Sequence, residues 1–137
     1  MAAAGSVAGL TSAQAMKKLM DPEHLRGQSE EYVLELAEKA GMSTAPMKPT
    51  SATGGRGTRI FKPGDSNVML FMEAGDPESA SADKVHEGPY VEYQISGAGK
   101  DGAFRVPIAG NPNPELGGEV PTVSRRRIMQ FLFGMEE

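Results

Sequence analysis

The sequence predicts an α+β domain in which N-terminal helices pack on a small, mainly antiparallel four-stranded sheet, with a short C-terminal helix. Two helical patterns come first along the chain, four strand-like runs follow, and a last helical pattern comes after them. Such separation of helices from strands along the chain is typical of α+β folds. The 137 residues are enough for one domain with a core of its own.

The first residues, MAAAGSVAGL, carry neither the early positive charge nor the long apolar centre of a signal peptide. We interpret residues 1–10 as a flexible lead-in and residues 11–137 as a single domain. No apolar run of the sequence approaches the length that crosses a bilayer.

The first predicted helix begins at a capping box. Thr11 supplies a hydroxyl group and Gln14 follows three residues later, a spacing that satisfies two free backbone N–H groups. Proline disfavours the helical conformation of the residue before it, so we expect the helix to end at Asp21 and Pro22. The apolar face of this helix consists of Met16, Leu19 and Met20.

The second predicted helix has recognisable signals at both ends. Ser29 is a preferred N-cap residue, and Glu30 and Glu31 suit the positive end of the helix dipole. Gly41 supplies the stop. Apolar residues recur with helical spacing at Val33, Leu36, Ala37 and Ala40.

A loop and four strands are predicted next. Residues 43–57 are predicted to be loop, because Gly, Pro, Ser and Thr dominate them. The turn Gly97–Gly102 is predicted to join the last two strands as a hairpin. Pro107 points to an edge strand, since proline cannot donate a ladder hydrogen bond. The four predicted strands cover residues 58–62, 67–73, 89–96 and 103–109.

Alternation in the last two strands separates two faces of the predicted sheet. If the apolar residues of both strands share one face, Arg105 shares the opposite face with the row Tyr90, Glu92 and Gln94. Tyr93 is then predicted to be a core residue. A final helix is predicted with Ser124 as its cap, an apolar stripe of Ile128, Phe131 and Leu132, and a stop at Gly134.

The composition excludes several kinds of site. Without cysteine the chain has no disulfide framework, no thiolate zinc site and no Cys nucleophile. Two widely separated histidines are too few for a zinc site. The net charge of −4 argues against a general nucleic-acid binder. Basic residues nevertheless cluster within residues 48–72 and at Arg125–Arg127, so a local basic groove is compatible with the sequence.

His86 is the first candidate for catalysis. It precedes Gly88 and Pro89 at the start of a predicted strand, where a rigid sheet can hold an outward-facing group. Imidazole is also the side chain best suited to moving protons near neutral pH. The alternative is a loop histidine that packs on Pro89. His24, in the link between the two helices, is interpreted as a solvated or capping residue.

Metal-independent RNA cleavage needs a base for the ribose hydroxyl, an acid for the leaving oxygen, and positive charge at the phosphate. His86 could serve as the base or the acid, and Tyr90 could donate a hydrogen bond or stack on a nucleobase. Arg59, Lys62 and Arg105 could supply the charge, because Arg offers a bidentate fork and Lys a point charge. Each of these residues has a plainer alternative, as sheet packing for the tyrosine and as a solvated charge for the basic residues.

Five stretches between residues 25 and 118 carry a family resemblance: LRGQSEEYVLELAEKAGM, GRGTRIF, VMLFMEAGDP, HEGPYVEYQI and RVPIAGNPNPELGG. The first resembles the lead-in helix of C-terminal toxin domains of bacterial polymorphic toxins, of the Rhs and contact-dependent-inhibition type. The other four resemble the sheet of such domains. Several of these domains resemble in turn the barnase, EndoU, colicin and RelE group of metal-independent ribonucleases.

The resemblance implies a secreted toxin domain that cleaves RNA, with tRNA as one candidate, by attack of the ribose 2′-hydroxyl without metal or cofactor. It implies a monomeric domain of a larger protein, acting in the target-cell cytoplasm and neutralised by an immunity protein. The chain departs from the usual pattern in being acidic, which fits a narrow target or a basic groove masked by the immunity protein. The candidate catalytic residues are His86, Tyr90 and Arg105, and the candidate substrate-binding residues are Arg56, Arg59, Lys62 and Lys100.

Two other functions are compatible with the sequence. An ADP-ribosyltransferase toxin would hold NAD with an arginine on its first strand and a later acid such as Glu92, although a clear Ser-Thr-Ser or Glu-x-Glu element is lacking. A non-catalytic interaction module of a phage or secretion system would use the basic residues as a contact patch.

Overall fold

The structure is a computed structural model that describes residues 7–46, 57–78, 82–95 and 102–133, with the backbone alone for residues 65–67. It confirms the α+β class, with helices on an antiparallel sheet and a C-terminal helix, but the sheet has five strands instead of four. The helices are α1 (Ser12–Leu19), α2 (Pro22–Leu25), α3 (Glu30–Lys39) and α4 (Thr122–Phe133). The strands are β1 (Ser43–Pro46), β2 (Gly57–Lys62), β3 (Asp65–Glu73), β4 (Tyr90–Ile95) and β5 (Phe104–Pro107), and a short 3-10 helix (Lys84–Glu87) precedes β4.

The sheet is a meander in which each strand pairs antiparallel with the next, in the order β1-β2-β3-β4-β5. The predicted pairing of the last two strands and the edge position of Pro107 are confirmed. The prediction of a loop over residues 43–57 is wrong for Ser43–Pro46, which pairs with β2, and for Gly57, which begins β2. A strand this short, at the sheet edge and ending in proline, shows no alternation in the sequence. Residues 47–56 lie outside the described part.

The first two helices follow their local signals. Thr11 caps α1 in a complete capping box with Gln14, as predicted. The helix ends before Asp21, whose carboxylate accepts hydrogen bonds from the backbone of Glu23 and His24 and so caps α2. The predicted link between helices is therefore itself a single helical turn. Ahead of α1, Val7 and Leu10 pack partly buried against the core.

The predicted helix after residue 29 is confirmed as α3. The Ser29 side chain accepts a hydrogen bond from the backbone N–H of Tyr32. Gly41 follows the helix with a φ of +86°, a conformation that glycine adopts without a steric penalty. The predicted apolar stripe Val33, Leu36, Ala37 and Ala40 is buried.

The helices cover one face of the sheet and enclose the core. Ile60, Leu70 and Tyr93 lie side by side across β2, β3 and β4 on this face, and each is fully buried. The Tyr93 hydroxyl donates to the backbone oxygen of Leu19 over 2.7 Å, which ties the sheet to α1. Phe104 continues the row on β5, where its ring stacks on Tyr93 with centroids 4.6 Å apart. Tyr93 is thus the predicted core tyrosine.

The last helix, α4, also packs on the helical side of the sheet through Ile128. The prediction that Ser124 caps this helix is wrong, because α4 begins two residues earlier, at Thr122. Ser124 is instead fully buried, and its hydroxyl donates to the backbone oxygen of Gly102. The predicted stop at Gly134 lies outside the described residues. Of the described helices, none is both long and apolar enough to cross a membrane.

Candidate functional site

The face of the sheet opposite the described α-helices, which we call the open face, carries most of the charged strand residues. Its central row consists of Arg59, Phe71, Glu92 and Arg105, which stand directly opposite one another across β2 to β5. All four side chains are partly exposed. This register confirms the prediction that Arg105 and Glu92 share a face, away from the core tyrosine.

A buried carboxyl group lies beside this row. Glu73 ends β3 directly opposite Tyr90 on β4, and only 7% of its surface is exposed. The Tyr90 hydroxyl and the Glu73 carboxyl group share a hydrogen bond. Glu73 is not among the site residues that the sequence predicts. The available signal was a lone acid directly after the apolar run VMLFM. Glu73 follows Phe71 by two residues, so both side chains lie on the same face of the strand.

His86 lies near enough to this carboxyl group for its charge to lower the pKa of Glu73, because two loops approach each other closely. The backbone N–H of Asp76, just after β3, donates to the backbone oxygen of His86 over 2.7 Å. A side chain at Gly75 would collide with the backbone of Gly88, and Gly75 has a φ of +74°. Glycines at both positions therefore allow the 3-10 helix to lie against the end of β3. The His86 ring then meets the Tyr90 ring edge-on, with centroids 5.1 Å apart.

The loop after β5 fixes the 3-10 helix from the other side. The buried amide group of Asn111 donates to the backbone oxygens of Val85 and Pro89, both over 2.9 Å. A Cβ atom at Gly88 would lie 2.9 Å from the Cα atom of Asn111, so this contact also requires glycine. Residues 86–90 and 110–118 thus form one frame, which holds His86 in place.

Glu73 lies within a cluster of charged groups, which we call the charge cluster. Its members are Glu73, Asp83, His86, Glu92 and Arg105. Burial raises the pKa of Glu73 above its ordinary value of 4.5, and the negative charge of Glu92 adds to the increase. The hydrogen bond from Tyr90 and the charges of His86 and Arg105 lower the pKa and offset part of the effect. A buried carboxyl group with a raised pKa holds and releases a proton closer to neutral pH than an exposed one.

Arg105 is held by carboxylates on two sides. Its Nε atom donates to Glu92 over 2.9 Å, and its Nη1 atom contacts Asp83 over 3.3 Å. Gln94 donates to the other carboxylate oxygen of Glu92 over 2.8 Å. These contacts do not use Nη2 of Arg105, and they fix the plane of the guanidinium group. Asp83, like Glu73, is a member of the cluster that the sequence analysis did not single out.

Tyr90 is more buried than a nucleobase platform would be. Only 4% of its surface is exposed, because the 3-10 helix and the end of β3 enclose its ring. Burial and the neighbouring Glu73 carboxylate raise the pKa of the Tyr90 hydroxyl, so this group stays protonated and acts as a hydrogen-bond donor. Its geometry suits the orientation of Glu73 and His86 and does not suit base stacking.

Two of the four predicted substrate-binding residues are described, and these two lie on opposite sides of the sheet. Arg59 lies on the open face, with its guanidinium carbon 4.9 Å from the centroid of the Phe61 ring. Lys62 lies on the helical side, where its ammonium group is 5.9 Å from the Phe131 ring of α4. Arg56 and Lys100 lie outside the described residues.

Two buried polar atoms of the site lack a partner. Among the described residues, Nε of Arg59 and Nδ1 of His86 are the buried side-chain atoms without a hydrogen bond. Buried polar groups in folded proteins are nearly always satisfied, and exceptions concentrate where a ligand or solvent completes the site. Both atoms belong to residues that the sequence analysis had selected.

His24 has a structural place in the helical layer. Its Nε2 atom lies 2.6 Å from the hydroxyl oxygen of Tyr32, which joins α2 to α3. Burial and the nearby charge of Lys18 lower the pKa of His24. Its neutral form is therefore favoured, and the contact with Tyr32 replaces the solvated position expected from the sequence.

Metal ligands do not cluster in the described part of the chain, where no group of three or more His, Asp or Glu residues could hold an ion. Comparison with protein-family models, with curated proteins and with solved structures finds no match to this chain. Its function is therefore inferred from the chemistry that the residues of the open face can perform.

Proposed function

We propose that the domain cleaves RNA at the open face by attack of the ribose 2′-hydroxyl on the adjacent phosphate. The observation that carries the proposal is the buried Glu73 carboxyl group, which lies in one charge cluster with His86 and Arg105. Two proton-transfer groups and a cation are what this reaction requires. They come from three separate segments of the chain: the end of β3, the 3-10 helix before β4, and β5.

The two proton transfers have different donors and acceptors. Ionised Glu73 takes the proton from the 2′-hydroxyl, and the 2′-oxygen then forms a bond to phosphorus. The bond from phosphorus to the 5′-oxygen breaks, and protonated His86 gives its proton to that oxygen. The products are a 2′,3′-cyclic phosphate and a free 5′-hydroxyl, and the enzyme is left with protonated Glu73 and neutral His86. Exchange with solvent restores both groups.

Positive charge stabilises the phosphate as the new bond forms. Arg105 supplies this positive charge through its Nη2 atom, because its Nε and Nη1 atoms already contact Glu92 and Asp83. Arg59, on the same row of the sheet, contributes a second cation farther along the face. Tyr90 positions Glu73 by hydrogen bonding. Electrostatic stabilisation by preorganised groups of this kind is commonly the largest catalytic contribution.

The biological setting of the proposal comes from the sequence resemblance. We propose a toxin domain of a polymorphic toxin that is neutralised by an immunity protein. The three carboxyl groups of the cluster, Glu73, Asp83 and Glu92, make the face less attractive to bulk RNA than a basic groove would be. This mixed charge fits a narrow substrate range, with a structured RNA such as tRNA as the first candidate.

The geometry supports the alternative functions less well. An ADP-ribosyltransferase would need Glu92 to face NAD, yet both of its carboxylate oxygens already accept hydrogen bonds from Arg105 and Gln94. A non-catalytic module gives no reason for a buried acid beside an imidazole. Transfer of label from NAD and the phenotype of His86→Ala distinguish these functions from RNA cleavage.

The test is incubation of the purified protein with total RNA and with tRNA in EDTA, followed by analysis of the product ends. We expect cleavage with 2′,3′-cyclic phosphate ends, and a loss of on the order of a hundredfold or more in rate for His86→Ala. The matched control is His24→Ala, which removes the only other histidine and should leave the rate nearly unchanged. Intact RNA at high protein concentration, in a preparation that still stops bacterial growth, would refute RNA cleavage as the function.

A further inference from the structure

The outer side of α4 is unusually apolar for an exposed helix. In the part of the chain that the structure describes, the exposed large apolar side chains are Val123, Met129 and Phe133, and all three belong to α4. Met129 is 62% exposed and Phe133 is 79% exposed. Scattered single apolar residues on a surface need no explanation, but a concentration on one helix marks a surface that meets a partner.

Met129 and Phe133 line a groove between α4 and α1, whereas Val123 lies outside it. The groove has a volume of about 830 Å³. Its apolar wall comes from Met129, Leu132 and Phe133 of α4, which recur with the spacing of one helix face. Lys17 of α1 and Arg125 and Arg126 of α4 also line it, and none of the described residues along it is acidic. The groove is thus apolar and rimmed by positive charge, on a protein whose net charge is −4.

Core packing does not account for this surface. Ile128 and Ser124 are the buried residues of α4, and they anchor the helix to the domain. Met129 and Arg126 are exposed on the other side. The groove is also separate from the open face, because α4 packs on the helical side of the sheet. A ligand in the groove and RNA on the open face would not compete for the same residues.

We propose that this groove binds an amphipathic helix of a partner protein, with apolar residues along one stripe and acidic residues on both flanks. A helix of this kind buries its stripe against Met129, Leu132 and Phe133, as in other helix-in-groove complexes. Its acidic flanks pair with Arg125 and Arg126, which complement them in charge. The inference does not depend on the nuclease proposal.

The test uses the full chain and a designed fluorescent peptide, with leucines at i, i+3, i+4 and i+7 and glutamates on both flanks. Fluorescence anisotropy compares it with a scrambled peptide of the same composition. We expect saturable binding of the amphipathic peptide alone, and weaker binding at high salt. The double variants Met129→Ser/Phe133→Ser and Arg125→Glu/Arg126→Glu should each weaken binding by on the order of tenfold.

Arg127→Glu is the matched control, because Arg127 is exposed on the same helix but does not line the groove. It should bind the peptide within about twofold of the original protein, well below the tenfold effect of a contact residue. Equal binding of both peptides, or equal losses for all three variants, would overturn the proposal. It would also be overturned if the peptide fails to bind while phosphatidylserine vesicles do, or while Met129→Ser/Phe133→Ser abolishes a dimer.

Discussion

The two faces of the sheet use similar residues for different purposes. On the helical face, the Tyr93 hydroxyl bonds to a backbone oxygen of α1, and the ring stacks on Phe104. On the open face, the Tyr90 hydroxyl bonds to the Glu73 carboxyl group, and the ring meets His86. Both tyrosines are buried and three residues apart on one strand. The helical face therefore provides stability, whereas the open face arranges titratable groups.

The contrast shows that burial alone does not distinguish packing from chemistry. Tyr93 and Leu70 are buried among apolar neighbours, where loss of volume is the main consequence of a change. Glu73 is nearly as buried, but its neighbours are a hydroxyl group, an imidazole and a guanidinium group. A buried charge costs stability unless it is paired. The open face thus carries a stability cost that the helical face does not.

The largest expected effect is a loss of stability on the helical face. Leu70→Ala removes a fully buried side chain at the centre of the sheet. We expect the free energy of unfolding to fall by about 2–5 kcal/mol, because a cavity remains in the core. Gln94→Ala, on an exposed position of the neighbouring strand, should change it by less than about 0.5 kcal/mol. Urea denaturation measures both, and equal losses would contradict the division between the faces.

The second effect concerns the frame that holds His86. Asn111→Ala leaves the backbone oxygens of Val85 and Pro89 without their side-chain donor. We expect a loss of about 1–3 kcal/mol in the free energy of unfolding. Asn113→Ala is the comparison, because Asn113 bonds to Lys84 and Glu87 from a more exposed position. Denaturation should rank Asn111→Ala above Asn113→Ala, and the reverse order would show that the frame is not built around Asn111.

The smallest expected effect is a change in the pH dependence of stability. The pKa of Glu73 is raised in the folded state, so the folded protein binds more protons than the unfolded chain in the range just above pH 4.5. The contribution of Glu73 to stability is present below that range and is lost as the pH rises through the folded pKa. Glu73→Gln should remove this decline, which makes the variant relatively more stable towards neutral pH. Parallel stability curves for the two proteins across this range would show that folding does not raise the pKa of Glu73.

Much of the helical face could be predicted because its signals are local. The N-cap Ser29, the stripe from Val33 to Ala40 and the stop at Gly41 stand together in the sequence and define α3. Alternation in β4 and β5 likewise placed Arg105 opposite the core. The strand β1 was missed because it is short, lies at the sheet edge and ends in proline, so its sequence shows no alternation.

The candidate site could be predicted only in part, because it depends on contacts between distant segments. His86 was selected from its position before Gly88 and Pro89, but the role of Glu73 required the register of β3 against β4. The substrate-binding candidate Lys62 was grouped with Arg59 by composition. The strand places Lys62 towards Phe131 and Arg59 on the open face. Sequence distance therefore does not reveal which charges meet.

The most direct test of the account is an NMR titration of the Glu73 side-chain carboxyl group. We predict a midpoint above the ordinary value of 4.5 in the original protein, caused by burial. His86→Ala should raise the midpoint further, because the positive charge of His86 lowers the pKa of Glu73, whereas His24→Ala should leave it unchanged. A midpoint at the ordinary value, with no response to His86→Ala, would contradict the convergence of these two groups on the open face.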